Sequence, residues 1–298
     1  MANPMYGQNK FDSKLDVKGK LNQSGGIPVQ DSTGIAPLGG SIMPPYPVYR
    51  GAVPSGDGFN FANADPYSES ATQLFPLGST LNWGDRVFKY AQMDGAVTAG
   101  KLLQQKASII AHHSQMTATA AVAADSDAAT TDISVETQGD TDITANQYQE
   151  GYLWVNDATG EGQSWRIKSH PAHDHSDDAS IVITVYGGVK TDLATASELG
   201  ICQNVYKDVI VAPTAETGCI VGATNIDMTD DYYGWIQVRG PKSILAGDTI
   251  VLGQNVTRSG NDAGAVEVGS DDVLQPVGQS MASTVVDAEY NLINLMIA

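Results

Sequence analysis

The residues best suited to chemistry crowd into one ten-residue segment, SHPAHDHSDD. Imidazoles could bind zinc or nickel there, and carboxylates could bind calcium. The segment lies between two predicted strands, where a polar hairpin tip is expected in any case, and a metal site needs a fixed geometry with supporting partners. We therefore expect a solvated loop and no metal. The potential ligands are His170, His173, Asp174, His175, Asp177 and Asp178.

Other catalytic patterns are missing from the sequence. His112 and His113 are adjacent, and adjacent residues do not share a face in a helix or a strand. There is no G-x-S-x-G nucleophile motif, no phosphate loop and no dinucleotide fingerprint. A glycan hydrolase would need two acids facing each other across a cleft, which spacing along the chain does not reveal. We predict a protein that is not an enzyme and binds no cofactor.

Composition limits the partners. The 298 residues contain 16 Lys and Arg against 34 Asp and Glu, a net charge of −18, which repels nucleic-acid phosphates and anionic membrane surfaces. Cys202 and Cys219 are too few for a disulfide framework. The start of the chain, MANPMYGQNKFDSK, lacks the apolar run of a secretory signal. We expect no nucleic-acid or membrane partner, and synthesis in the cytoplasm.

From residue 81 onward the sequence consists of short β-branched or aromatic segments bounded by Gly, Asp, Asn or Pro. Strands at such short spacing predict an all-β, barrel-like or sandwich-like body of short antiparallel strands. A parallel α/β domain is disfavoured because it needs recurrent helices between strands. The predicted strands are TDISVE, GYLWVND, GQSWRIKS, ASIVITVYG, KDVIVAP, GCIVGATNI, YYGWIQVRG, DTIVLGQ, GAVEVG and YNLINLMIA.

Three local features refine this body. Asp94-Gly95 predicts a hairpin between RVFKYAQ and a segment ending at 101–105. KLLQQKASIIAHH is the one candidate helix, although a helix followed by a strand fits it equally well, so we expect at most one short helix. Val221-Gly222 before Tyr232-Tyr233 is repeated as Val277-Gly278 before Tyr290, which predicts two copies of one hairpin.

The first 76 residues have a different composition, because they hold nine of the thirteen prolines. Proline removes backbone donors and favours extended chain, so this region predicts a long extended arm. Residues 1–50 carry five cations against three acids, a charge of +2 that leaves −20 for the rest. We divide the chain into an arm, 1–76, and a body, 77–298, with a further split of the body near 77–147 and 148–298 left open.

Aromatic side chains distinguish this arm from an ordinary flexible linker. Such side chains anchor a segment in the pockets of a partner, or of the protein's own body. We predict that the arm binds a partner, and the alternative that it packs back on its own body stays open. The predicted partner-binding residues are Tyr6, Phe11, Tyr46, Tyr49, Arg50, Phe59, Phe61, Tyr67 and Phe75.

Residues 148–298 resemble virion structural proteins of tailed bacteriophages, specifically the head decoration (cement) proteins. The resemblance lies in GQSWRIKSHP, ASIVITVYGG, CQNVYKDVIVAP and IVGATNIDMTDDYYGWIQVRGPKSIL, followed by VLQPVGQSMASTVVDAEYNLINLMI. FPLGSTLNWGDRVFKYAQMDGAVTAGKLLQ looks like the amino-terminal part of the same group. The resemblance implies a β-barrel-like body, commonly a homotrimer, bound outside the lattice of the major capsid protein.

The expected function is therefore head stabilisation on the capsid exterior, with the major capsid protein and further copies of the chain as partners. A tail or receptor-binding adhesin is the first alternative. The major capsid protein itself is less favoured, because its shell fold needs a long spine helix and no amphipathic run here exceeds about thirteen residues.

Overall fold

The computed structural model describes residues 64–107, 116–124, 131–137, 142–269, 275–282 and 284–297. Within these ranges it contains nineteen β-strands and no helix. This confirms the predicted all-β class with a barrel. None of the described residues belongs to a helix long and apolar enough to cross a membrane.

The strands form an eleven-stranded sheet, a closed six-stranded barrel and a two-stranded sheet. The large sheet contains β1 (Glu69–Ser70), β2 (Thr80–Trp83), β3 (Arg86–Gln92), β4 (Leu102–Gln104), β11 (Ile210–Val211), β12 (Ile220–Thr224), β13 (Tyr233–Leu245), β15 (Asn255–Arg258), β16 (Val266–Val268), β17 (Pro276–Ser280) and β19 (Tyr290–Met296). The barrel contains β5 (Met116–Ala118), β6 (Asp132–Glu136), β7 (Tyr152–Asp157), β8 (Ser164–Ser169), β9 (Ile181–Val185) and β10 (Glu198–Cys202). β14 (Ile250–Val251) pairs with β18 (Thr284–Val285).

The barrel closes in the order β10-β5-β6-β9-β8-β7. Buried and more exposed residues alternate along several of its strands, as in β9, where Ile181, Ile183 and Val185 are buried. This period of two is what a sheet with one buried face requires. The predicted hairpin from GQSWRIKS to ASIVITVYG is confirmed, because β8 and β9 are antiparallel neighbours.

The barrel is inserted into the large sheet. All six of its strands lie in sequence between β4 and β11, and those two strands pair directly with each other. The division considered near residues 147 and 148 falls between β6 and β7, inside this closed barrel. The structural division of the body is therefore an insertion, not two successive halves.

Two copies of one four-stranded unit form the centre of the large sheet. The strand order β11-β4-β12-β13 continues across the sheet as β19-β17-β15-β16. In this order β13 corresponds to β19, β12 to β17, β4 to β15 and β11 to β16. β13 and β19 meet in the middle as an antiparallel pair from Arg239 opposite Met296 to Leu245 opposite Tyr290. The repeated hairpin is confirmed and extends to a repeated unit with the same pairings.

The register of the two units agrees residue by residue. Gly222 lies opposite Leu103, and Gly278 lies opposite Val256. The preceding residue, Val221 or Val277, is the extra residue of a bulge in each unit. Aligning the glycines places Tyr233 on Tyr290 and Trp235 on Leu292.

Two local predictions are wrong. Leu102–Gln104 is not helical but strand β4, since all three residues are buried between β11 and β12 and tertiary pairing overrides the helical pattern. The Asp94-Gly95 hairpin does not form either, because β3 pairs with β2 and β13 while Gly95 N–H donates to Asp230 Oδ1 at 2.6 Å. Residues 108–115 lie outside the described ranges.

Candidate interaction surface

The predicted partner-binding residues divide between described and undescribed parts of the chain. Tyr67 and Phe75 belong to the described residues. The other seven remain predictions because they lie outside the described residues: Tyr6, Phe11, Tyr46, Tyr49, Arg50, Phe59 and Phe61.

Phe75 is the one predicted anchor that the structure places in the protein's own core. Its side chain is 9 % exposed, and its ring centroid lies 5.2 Å from that of Tyr90 and 5.3 Å from that of Trp235. Tyr90 and Trp235 also meet edge to face at 5.1 Å, a favoured geometry for aromatic pairs. The prediction that Phe75 binds a partner is therefore wrong, because this site on its own body already buries the ring.

Tyr67 lies at the surface, with 47 % of its side chain exposed. Arg86 Nη1 donates a hydrogen bond of 2.6 Å to the Tyr67 hydroxyl. The Arg86 guanidinium also stacks 5.8 Å from the Tyr67 ring centroid and 5.7 Å from that of Phe88. Tyr67 thus has an exposed ring held in place by a cation, and its partner-binding role stays a prediction.

Residues 64–77 are fixed to the body and not free as an arm. β1 pairs with β13 through Glu69 opposite Gly234. Leu74 N–H donates to the Tyr90 hydroxyl at 3.1 Å, and burial raises the pKa of this tyrosine. Ala64 is buried in the same cluster as Phe75 and Trp235. The body therefore begins at or before Ala64, thirteen residues earlier than the predicted boundary after residue 76.

Glu150 ties this segment to the barrel. Its Oε2 accepts a 2.6 Å hydrogen bond from Leu77 N–H and lies 3.3 Å from Arg166 Nη2. The same Arg166 nitrogen donates to Leu77 O at 3.1 Å. Arg166 belongs to β8, and Glu150 precedes β7. Two parts of the barrel region therefore bind the backbone of Leu77, which lies just before the first long strands of the large sheet.

A second surface feature is an apolar face on the carboxyl-terminal unit of the sheet. Four large side chains are about half exposed there: Tyr290 (50 %), Leu292 (41 %), Met296 (52 %) and Met281 (44 %). The first three lie on one face of β19, with the partly buried Asn294 between Leu292 and Met296. Met281 directly follows β17, and its N–H donates to Leu292 O at 2.8 Å. We call these four residues the open face. Contiguous exposed apolar residues of this kind mark interaction sites in soluble proteins.

The sequence carried a signal for this face. Apart from Asn291 and Asn294, the segment YNLINLM is apolar on both sides of the strand. Ile293 and Leu295 are buried, while Leu292 and Met296 are exposed. A strand with one solvent-exposed face would have polar residues at the outward positions. Apolar residues on both faces are therefore a signal for two buried faces, and one of the two faces is exposed in the structure.

The histidine segment is a structural loop with buried anchors. His170 and His173 are 4 % and 2 % exposed, so the expectation of a wholly solvated loop is wrong for these two residues. Thr137 Oγ1 lies 2.9 Å from His173 Nε2 and 3.1 Å from His175 Nδ1. Across the described residues, no three His, Cys, Asp or Glu side chains are grouped so that they could hold a metal ion.

His170 serves as a hydrogen-bond bridge inside this loop. Its Nε2 accepts from Tyr148 N–H at 2.9 Å, so the ring proton is on Nδ1, which donates to Pro171 O at 2.8 Å. Burial lowers the pKa of His170 because the charged form loses hydration, outweighing the opposite effect of the Pro171 hydrogen bond. The neutral tautomer fits this bridge, which needs one donor and one acceptor.

Lys242 is an unusual residue for its position. It is 9 % exposed and lies on the core face of β13, two residues from the buried Ile244. Burial lowers its pKa to about 8, with a smaller contribution from the nearby charge of Arg86. The ammonium group therefore carries an unfavourable desolvation free energy at neutral pH.

Comparisons of the chain with protein-family models, with curated proteins and with solved structures find no match.

Proposed function

We propose that this chain is a structural, non-catalytic protein of a tailed-bacteriophage head that binds the capsid exterior and clamps neighbouring major capsid protein subunits. Its resemblance to head decoration proteins supports this proposal, and so does the all-β fold with a closed barrel. The resemblance also supports a homotrimer. In this proposal the described body sits on the lattice surface, and the segment before Ala64 reaches the neighbours.

The observation that carries the proposal is the fixed origin of the amino-terminal segment. Ala64, Phe75 and β1 attach the chain to the body at one place, and 63 residues with Tyr, Phe and Pro precede that place. A clamp needs this arrangement, because a segment that is attached to a folded body holds that body on the partner when the segment binds. Binding must also recover the conformational entropy of ordering the segment.

The charge distribution agrees with an exterior location. The −18 net charge of each copy would keep a particle that carries many copies soluble. The segment of charge +2 at the amino terminus is the part suited to an acidic partner surface.

One observation favours a second function, a tail or receptor-binding adhesin. Tyr152 and Tyr186 are 46 % and 53 % exposed on the barrel. Tyr152 pairs with Arg166 across strands, and Tyr186 N–H donates to Arg166 O at 2.9 Å, so both tyrosines lie beside one residue. Exposed aromatic rings close together can stack on sugar rings, as a host-glycan adhesin requires.

Localisation on particles separates the two functions. Antibodies raised against the purified chain should label the heads of phage particles produced in the natural host, with many copies per head. Label confined to the tail would favour the adhesin, which binding of purified protein to host polysaccharide would then support. Absence of the chain from purified particles would overturn both.

A further inference from the structure

The two repeated units present equivalent outer faces, and these faces differ in one respect. Trp235 in the first unit and Leu292 in the second hold the same position, yet Trp235 is 3 % exposed and Leu292 is 41 % exposed. Their inward neighbours, Ile236 and Ile293, are both completely buried. The core positions of the units are therefore alike here, and among the described residues the outer position of the second unit is the one left exposed.

A segment of polypeptide from outside the repeated unit forms part of the cover of the first unit. The segment from Ala64 to Leu77 pairs with β13 through β1 and places Phe75 against Trp235. The segment thus supplies a short backbone pairing and one aromatic anchor. Other side chains complete the buried cluster around Trp235, namely Leu77, Leu81, Phe88 and Tyr90. The open face repeats the underlying strand geometry, so the same kind of segment fits it.

The chain contains a second segment with aromatic residues, and this one lies outside the described residues. Residues 1–20 contain Tyr6 and Phe11 as aromatic anchors. They also carry four lysines and two aspartates, a charge of +2. The four lysines are Lys10, Lys14, Lys18 and Lys20.

The surroundings of the open face complement this charge. Asp287 and Glu289 are exposed immediately before Tyr290. Exposed Asp248 lies nearby, since Ala246 N–H donates to Glu289 O at 2.7 Å and Ala288 N–H donates to Ala246 O at 2.9 Å. The opposite end of the face has one cation, Arg239, beside Met296. Three acids at one edge favour a cationic segment and would orient it along β19.

We propose that residues 1–20 of one copy bind the open face of a second copy of this chain. This inference rests on the proposed function, in which the amino-terminal segment reaches neighbouring subunits, and adds a second copy of this chain to the major capsid protein as its partner. The 43 residues from 21 to 63 connect the segment to Ala64 and can span up to about 140 Å when extended, more than enough to reach a neighbour. The contact is heterologous, so three such contacts close a ring if the rotation between copies is 120°.

A photo-crosslinking experiment on the full-length purified protein tests this proposal without any capsid. Leu292→p-benzoylphenylalanine places the reactive group in the open face, and Val182→p-benzoylphenylalanine is the control, since Val182 is 43 % exposed on the barrel. Illumination of the Leu292 variant should give a covalent dimer of twice 31.3 kDa on a denaturing gel. Mass spectrometry of that dimer should map the crosslink to residues 1–20, and the Val182 variant should give no such dimer.

Anchor substitutions complete the test. Tyr6→Ser with Phe11→Ser in the Leu292 probe variant should lower the dimer yield by about tenfold, because such anchors dominate binding. Products of monomer mass crosslinked to residues 1–20 would show the segment on its own body and overturn the proposal. Dimers crosslinked between residues 281–296 of both copies, or no crosslink at all, would overturn it as well. None of these outcomes bears on whether the protein labels phage heads, so the two proposals fail separately.

Discussion

Trp235 and Leu292 occupy the same position in two copies of one four-stranded unit, and the first is covered by Phe75 while the second is open. The outer face of the first unit is thus buried at this position, and the outer face of the second unit is exposed. This difference links the fold to the proposed function, because an assembly protein needs a surface whose burial requires another chain.

Phe75 should contribute more to stability than Tyr67, although both were predicted partner anchors. Phe75→Ala should lower the free energy of unfolding by about 3–5 kcal/mol, the cost of truncating a buried aromatic residue. Tyr67→Ala should change it by less than about 1 kcal/mol, because its ring is 47 % exposed. Urea unfolding followed by tryptophan fluorescence measures both. Equal effects would contradict the assignment of Phe75 to the core.

Gly278 should tolerate no side chain. A Cβ built there would lie 2.1 Å from Asn294 O, a backbone atom of the paired strand, so Gly278→Ala should lower the thermal midpoint strongly. Gly260→Ala is the matched control, since its nearest neighbour is Glu267 Oε1 at 3.8 Å. We expect a loss of more than about 2 kcal/mol for Gly278→Ala and less than about 1 kcal/mol for the control. Similar thermal midpoints for the two variants would contradict the described β17–β19 register.

Lys242 should destabilise the native state at neutral pH. Below pH 8 the lysine is charged in both states, and between its native pKa of about 8 and its ordinary value of 10.5 the unfolded chain binds more protons. The contribution of Lys242 to the free energy of unfolding therefore rises as the pH increases from about 8 to 10.5. Lys242→Met should stabilise the protein by about 1–3 kcal/mol at pH 7, and by less at pH 10. Chemical unfolding at both pH values checks this, and destabilisation at pH 7 would contradict it.

His170 should make stability fall on acidification. Because burial lowers its pKa, the unfolded chain takes up a proton more readily once the pH drops below the ordinary value of 6.5. His170→Gln keeps an acceptor for Tyr148 N–H and cannot titrate, so its thermal midpoint should fall less than that of the wild type between pH 7 and pH 5. His170→Ala leaves that buried N–H unpaired and should cost about 1–3 kcal/mol at pH 7. Identical pH profiles for wild type and His170→Gln would contradict the prediction.

Local sequence patterns predicted much of this fold. Alternating apolar residues marked β7, β8 and β9, and the Val-Gly and Tyr motifs marked the two repeated hairpins. These elements are predictable because a strand with one buried face has a two-residue period. By contrast, β4 is buried on both sides between β11 and β12, so Leu102–Gln104 shows no alternation and resembles helix.

The interaction surface was less predictable for a physical reason. The prolines and aromatics before residue 76 showed that the segment needs a surface, but composition does not say which aromatic residue is covered by its own body. Phe75 contacts Trp235, which lies some 160 residues later in the chain. Only the pairing of strands in the sheet brings these two residues together. The barrel insertion was missed likewise, because β4 and β11 pair across more than a hundred intervening residues.

The most direct test of the proposed function is occupancy on phage heads that lack this chain. Full-length protein and a variant without residues 1–63 should be added to such heads, and bound copies counted by cryo-electron microscopy. The variant keeps Ala64, Phe75 and β1, so the cover of the first unit stays intact. We predict dense, regular occupancy of the exterior by the full-length protein and a large loss for the variant. Equal occupancy by both, or binding of neither, would contradict the proposed clamp.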